Sequence, residues 1–274
     1  MIGAKILNTT GWNTKKMTPN SDISHINLLA LPGIVSMSTC RGCVVDSDNY
    51  SGFNACHYTG DDMAHVAACR EQLCNMLQIP LENLIIPRQT HSLNVAVIDT
   101  VPFDANKLEN IDALVTTLPN VAIAINTADC VPIIMVDEEA GVIAVAHSGW
   151  KGTVGKIASA TIAKMVECGA NPLHIKVAMG PCICGDCFEV GDEVVEQFVV
   201  HGFDMPQIIL RTYGAKSHID LPQACRKSLI EAGVPDSNIT LPTHCSRCNP
   251  TQFFSARRLG INSGRTLTIA MIKE

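Results

Sequence analysis

The chain has 274 residues, with 20 basic and 26 acidic side chains and a formal charge of −6. Hydrophobic residues make up 47% and charged residues 17%, which argues against disorder, while aromatics at 4% leave few stacking platforms for single-stranded nucleic acid. The acidic balance speaks against a broad nucleic-acid surface, and no apolar run approaches the roughly 18–20 residues of a membrane-spanning helix. Met1–Trp12 holds one lysine and no long apolar stretch. It does not read as a secretory signal, so a cytoplasmic protein is expected. In that compartment the 13 cysteines are expected as reduced thiols, some of them small buried hydrophobes.

No repeat, low-complexity tract or linker divides the sequence, and a single domain over residues 1–274 is expected, with residues 1–50 the least defined. Near the start, Ile26–Leu31 and Gly33–Ser38 are short apolar runs of strand type. Asp61–Leu77 predicts a helix: Asp61 or Asp62 can cap it, and Met63, Val66, Leu73 and Leu77 recur at mostly helical spacing. Leu84–Ile86 and Val95–Ile98 predict strands on either side of Arg88–His91. The centre is strand-rich, with Ala113–Thr116, Val121–Asn126, Pro132–Val136 and Val142–Ala146 separated by turn residues. Gly152–Cys168 predicts a helix stopped by Gly169. Ile175–Met179 predicts a buried strand, Gly191–Val200 and Leu221–Ala232 predict helices, and Thr266–Met271 predicts a last strand. Strands and helices mix without strict alternation, so the expected class is α/β (α+β), a layered domain with a mixed β-sheet.

Three segments concentrate chemistry: Gln89–His91, Asn126–Cys130 and Ala146–Gly152. Each sets a histidine or cysteine beside a predicted strand, a rigid place to hold a reactive side chain. His91, Cys130 and His147 together make a His₂Cys set, and three N/S ligands with an open fourth position describe a catalytic zinc site. Their spacing carries no rule of its own. On spacing alone the plainer reading is favoured, with hydrogen-bonded histidines and an inert thiol.

The motifs around these residues resemble the YfiH-like, laccase-domain family, also called polyphenol oxidase-like and described as purine nucleoside phosphorylases. The matching segments are Gly52–Asn54, His57, Gly60–Asp62, Arg88–His91, Asp112–Thr116, Thr127–Cys130, Ala146–Gly152, Gly180–Ile183, Cys187–Gly191 and Phe253–Ser255 with Arg257 and Arg258. They run in the family's order from about Asn54 to the C-terminus. The resemblance implies zinc on His91, Cys130 and His147. It implies phosphorolysis of adenosine, inosine, guanosine and methylthioadenosine, with hydrolytic deamination of adenosine. It also implies a YfiH-like layered architecture related to a deamidating toxin domain. Ala55, Cys56, Cys69 and Ala256 depart from the usual family residues, which bears on substrate preference more than on metal.

Each role has a bland counterpart. Asp129 and Glu189 are candidate proton-transferring carboxylates, although Asp129 is favoured as a partner that orients a histidine. Arg70 and Arg88 are candidate phosphate contacts, and Asn54 and His57 candidate contacts to ribose or base, against ordinary surface or loop roles. Lys151 reads as a solvated charge. Cys182, Cys184 and Cys187, with Cys245 and Cys248, form a second constellation. Read as C-x-C-x-x-C plus C-x-x-C, it favours structural or adventitious thiols over a second zinc.

Three rivals stand beside the phosphorylase. A full laccase needs many imidazoles, commonly in His-x-His pairs. This chain has nine histidines and no such pair, so copper is expected only as an adventitious metal. A thiol hydrolase or deamidase would use Cys130 as nucleophile and His147 as base. A zinc-stabilised binding module would need a fourth ligand such as Cys182. No P-loop or dinucleotide fingerprint is present. The expected partners are purine nucleosides and phosphate, with no nucleic acid and no membrane; the oligomeric state stays open.

Overall fold

Strands as apolar as those at the centre of this chain need cover on both faces. A computed structural model, describing residues 23–213 and 216–274, shows how they get it. In chain order, β1 (His25–Asn27) and β2 (Ile34–Thr39) precede α1 (Met63–Leu77). Then come β3 (Leu84–Ile85), β4 (Val95–Ile98), β5 (Ala113–Thr116), β6 (Ala122–Thr127), β7 (Val131–Asp137) and β8 (Val142–Ser148). The chain continues with α2 (Trp150–Val154), α3 (Ile157–Glu167), β9 (Lys176–Met179), β10 (Glu189–Val190), α4 (Asp192–Val200), α5 (Met205–Ile208), β11 (Ile209–Tyr213) and β12 (Lys216–Ile219). It ends with α6 (Leu221–Glu231), β13 (Ile239–Thr240), α7 (Ala256–Leu259) and β14 (Thr266–Ile272).

Two mixed sheets form the middle of the molecule. One runs β1-β2-β14-β6-β3 and the other β13-β9-β7-β8-β5-β4. Their inner faces meet in a dry core that includes Ile123 and Ile125 of β6, Ile134 and Val136 of β7, and Ile143 and Val145 of β8. Alternate residues point outward. On the first sheet, Ala122, Ala124, Leu267 and Ile269 pack against Cys69, Leu73 and Leu77 of α1. On the second, Ile133, Met135, Ala144 and Ala146 pack beneath Ile157, Ile162 and Met165 of α3 and Leu229 of α6. The result is four layers, helix–sheet–sheet–helix, with β7 and β8 buried along their whole length. A smaller sheet, β10-β12-β11, lies beside them. The expected layered α/β class with mixed sheets is what the chain forms.

Local rules explain most element ends. Asp62 caps α1 by accepting from the Ala64 N–H, and Gln78 ends it in the left-handed region at φ 60°. The helix expected over Gly152–Cys168 differs: it begins at Trp150 and breaks into α2 and α3. A Cβ on Gly155 would lie 2.6 Å from Leu93 Cδ2, and Lys156 turns left-handed at φ 61° to restart the helix. Of the two early apolar runs, the first forms only the short β1 and the second forms β2. The expectation placed on Met1–Trp12 lies outside the described residues. No helix of the described residues is long and apolar enough to cross a membrane.

Candidate active site and metal centre

The β7–β8 hairpin sets the geometry. Its register pairs Val131 with Ser148 and Pro132 with His147, so Cys130, just before β7, sits across from the end of β8. β5 flanks β8 on the other side, Ala113 opposite Ala146, and brings Asp112 beside His147. The loop before β4 carries His91. One ligand atom each from His91, Cys130 and His147 lies within 4.8 Å of the others. His91 Nε2 is 3.7 Å from Cys130 Sγ, and the two imidazoles meet edge to face at 4.8 Å between centroids.

Asp112 organises this group, and the expectations from sequence gave it no role. It is fully buried. Its Oδ1 accepts from His147 Nδ1 at 2.7 Å and from the His91 N–H at 3.1 Å. Its Oδ2 accepts from the N–H groups of Thr90 and Ser92 and from Ser92 Oγ. A carboxylate can only accept, so Nδ1 of His147 carries a proton, and Nε2 is the nitrogen left to take a metal once it gives up its own. This is the arrangement that fixes a metal-binding histidine. It also holds His91 in the left-handed region, φ 62°, a conformation that a non-glycine residue keeps only under restraint.

Charge follows the same geometry. Burial would raise the Asp112 carboxyl, but the bonds from His147 and Ser92 overcome it and hold it at about 2. Burial likewise opposes ionisation of Cys130, yet His147 and His91 bring its thiol down to about 6. His147 is pushed up to about 9 because Cys130 and Asp112 outweigh its burial. Without a metal, this is a thiolate–imidazolium pair resting on a carboxylate.

Gly149 completes the arrangement. A Cβ there would fall 2.8 Å from His91 Cδ2 and 2.9 Å from Cys130 Sγ. Only a glycine lets the β8–α2 turn pass this close to both side chains. The donors also suit zinc: two imidazole nitrogens and one thiolate converge, with one of the histidines braced through its far nitrogen.

Comparison with known proteins gives the family. A family model described as multi-copper polyphenol oxidoreductase laccase matches residues 35–273. The chain belongs to this laccase-domain, YfiH-like family. Among the family's members, an adenosine deaminase, RL5, from an unknown prokaryotic organism is 51% identical over 87% of this chain and 94% of its own. A purine nucleoside phosphorylase from Bacteroides thetaiotaomicron is 41% identical over 92% of this chain and 96% of its own. The crystal structure of YlmD from Geobacillus stearothermophilus superposes with a TM-score of 0.81 at 30% identity, covering 89% of this chain and 93% of that one.

The other family motifs spread beyond the His₂Cys group. Asp129 does not orient a histidine: its Oδ1 accepts from Ser246 Oγ at 2.7 Å and its Oδ2 from the Arg257 N–H at 2.6 Å. The orienting role expected of it falls to Asp112. Glu189 is exposed and pairs with Lys216 across the small sheet, which lowers its carboxyl. Among the described residues it has no contact with the His₂Cys group. Asn54 is fully buried, donating to Asp61 and accepting from the N–H groups of Cys56 and Arg265. The substrate contact expected of it gives way to bracing a loop.

Arg70 and Arg88 do come together with His57, lining a cavity of about 410 Å³ that also includes Phe103 and Glu109. Arg70 donates to the Ala55 carbonyl and bonds His57 Nδ1, while Arg88 forms an exposed pair with Glu109. This lining shares no residue with the His₂Cys group. Gln89 of the same motif braces β6 instead, bonding both the N–H and the carbonyl of Asn126. The nonpolar-to-polar change at the end of β6 leaves Thr127 Oγ1 buried with no hydrogen-bond partner among the described residues, and Ser255 Oγ is in the same state.

Proposed function

We propose that this protein is a zinc-dependent purine nucleoside phosphorylase. Its substrates would be adenosine, inosine, guanosine and methylthioadenosine, and it would also deaminate adenosine. We further propose that residues 1–274 act as one cytoplasmic domain. The observation that carries the reading is the Asp112-braced group of His147, Cys130 and His91, three ligands aimed at one point with a fourth side left open. The names of the relatives support the reaction class.

Held by His91, Cys130 and His147, zinc would supply Lewis acidity at this point of the fold. The chain's own part is preorganisation. Asp112 keeps the proton on His147 Nδ1, so Nε2 faces Cys130 at every turnover. The two imidazoles keep Cys130 as thiolate, its ligand form. For the proton movements of deamination, Asp129 is preferred over Glu189, because it adjoins Cys130 in the chain whereas Glu189 lies on the small sheet. Arg70, with Arg88, is assigned to phosphate: two guanidinium groups around one cavity suit a doubly charged oxyanion.

The test is a product assay on metal-quantified protein. Adenosine is incubated with and without phosphate, and adenine, inosine, hypoxanthine and ribose 1-phosphate are resolved. Phosphate-dependent adenine and ribose 1-phosphate, lost in Cys130→Ala together with the metal, are the expected result. Inosine formed without phosphate identifies the deaminase arm. No product from folded, zinc-loaded protein overturns the nucleoside assignment.

A second reading has its own support. The thiolate–imidazolium character of Cys130 and His147 also suits a thiol hydrolase or deamidase. Chelated protein that keeps its activity and loses it to thiol alkylation would establish that reading instead.

A further inference from the structure

Four of the remaining cysteines converge on one point. Cys184–Cys187 and Cys245–Cys248 are each a C-x-x-C, and the Sγ atoms of all four lie within 4.8 Å of one another. Cys182, which blurred the spacing in the sequence, is buried and stands outside the group. Each pair is folded to present both thiols on one side. A 3-10 turn over Gly185–Cys187 brings the Cys187 N–H onto the Cys184 carbonyl, and Asn249 closes the second turn on the Cys245 carbonyl. An isolated parallel bridge between Cys182 and Cys245 holds the two loops in register.

We propose that Cys184, Cys187, Cys245 and Cys248 form a second, closed zinc site of structural type, which joins the loop before β10 to the loop after β13. A tetrahedral zinc with four sulfurs at about 2.3 Å has sulfur–sulfur edges of roughly 3.8 Å, within the span of this cluster. Two details favour a metal over idle thiols. The Cys184 N–H points at Cys245 Sγ, 3.3 Å away, the kind of donor that stabilises a thiolate. Arg247 lies inside the second C-x-x-C, so a site that would carry net negative charge has a cation in its own turn. Cys187 and Cys248 lie 3.4 Å apart, but a disulfide between them would leave two further thiols facing it.

The site has a purpose in the fold. Ser246, inside the second C-x-x-C, donates its hydroxyl to Asp129, and Ile183, just before the first, donates its N–H to the Asp129 carbonyl. Asp129 immediately precedes Cys130. Zinc on the four thiols would clamp the turn that delivers Cys130, from loops otherwise paired here only by the Cys182–Cys245 bridge. Binding exchanges thiol protons for the metal, so each ligand sheds its proton to solvent as it coordinates.

The full-length chain tests this, prepared under reducing conditions and desalted after brief chelation. Wild-type protein is expected to hold about two zinc per chain, and Cys130→Ala/His91→Ala about one. Cys187→Ser/Cys248→Ser in that background is expected to hold none. The double variant of the His₂Cys group has no catalytic metal, so the count does not depend on the proposed nucleoside chemistry. Cobalt substitution of that same variant gives a readout if the cysteine variants do not fold: intense thiolate charge-transfer bands with tetrahedral d–d bands are expected. Zinc-free, folded Cys130→Ala/His91→Ala with four alkylatable thiols overturns the proposal. So does iron in place of zinc, or an intact mass two hydrogens short under reducing conditions.

Discussion

The His91–Cys130–His147 group and the four-thiol group assemble soft donors by opposite routes. The first is carried at the ends of β7 and β8 and on the loop before β4, with His147 buried, Cys130 half-buried and His91 exposed; it draws its ligands from distant segments and braces them through the buried carboxylate of Asp112. The second sits on loops, with Cys248 exposed, and is written into two short C-x-x-C turns. Three ligands leave a side open, while four close it. The three-residue group therefore depends on the register of a sheet, and the four-thiol group needs only two turns and a bridge.

Several substitutions sharpen or break this contrast. The largest effect is expected from Cys130→Ala, which should bring nucleoside turnover to background and remove one zinc while leaving the other. An unchanged rate would dissolve the distinction between the two groups. Asp112→Asn comes next: the amide cannot accept from all of His147, His91, Thr90 and Ser92, and a loss of roughly 10- to 100-fold in zinc affinity or kcat is expected. Competition with a chromogenic chelator measures it, with the four-thiol zinc as internal control. Gly149→Ala should cost about 1–3 kcal/mol from overpacking against His91 and Cys130 and weaken zinc only at that site. A thermal shift equal to wild type would show that the turn can yield. Cys187→Ser should lower Tm, by roughly 2–4 °C for each kcal/mol lost, with a smaller effect on kcat than Asp112→Asn.

The smallest effect lies away from both groups and serves as a control on pH. Cys69 Sγ and Asp61, near His65 at 3.5 Å and 2.8 Å, raise its pKa from 6.5 to about 9. Protonated His65 is thus favoured in the fold. Its contribution is fully present below pH 6.5 and disappears as pH rises through about 9. Urea midpoints across that window should fall, and Asp61→Asn should flatten the slope.

The strands of the central layers were legible because they are apolar, β-branched and punctuated by turn residues. Val95–Ile98 and Ala113–Thr116 form over the expected residues. The helical break at Gly155 and Lys156 was not legible, because nothing in the local spacing marks Lys156 for the left-handed region it adopts. The small sheet escaped for a related reason: β10 has two residues and β12 is half polar, so pairing rather than pattern defines them. In the site, His91, Cys130 and His147 were visible as reactive residue types, and the structure brings them together. Asp112 was hidden in plain sequence, since its meaning lies in five donors supplied by the fold. Asn54 shows the converse. Its residue type suggested recognition, whereas its burial gives it to the loop. The convergence of the four thiols was obscured by Cys182, whose spacing joins the first C-x-x-C although its side chain stands outside the group.

The β7–β8 hairpin has a consequence for engineering. Cys130 and His147 stand at its open end, while its connecting turn, with Gly141 left-handed at φ 64°, lies at the other. Asp137 seals that turn by accepting the N–H groups of Glu139 and Ala140. New sequence grafted between Glu138 and Gly141 would emerge some seven strand residues from the ligands. Removing a single residue from within β7 would instead swap its faces, turning core side chains about and carrying Cys130 out of reach of His147. The hairpin thus offers one end as an attachment point for tags or reporters, and permits no change of length along the other.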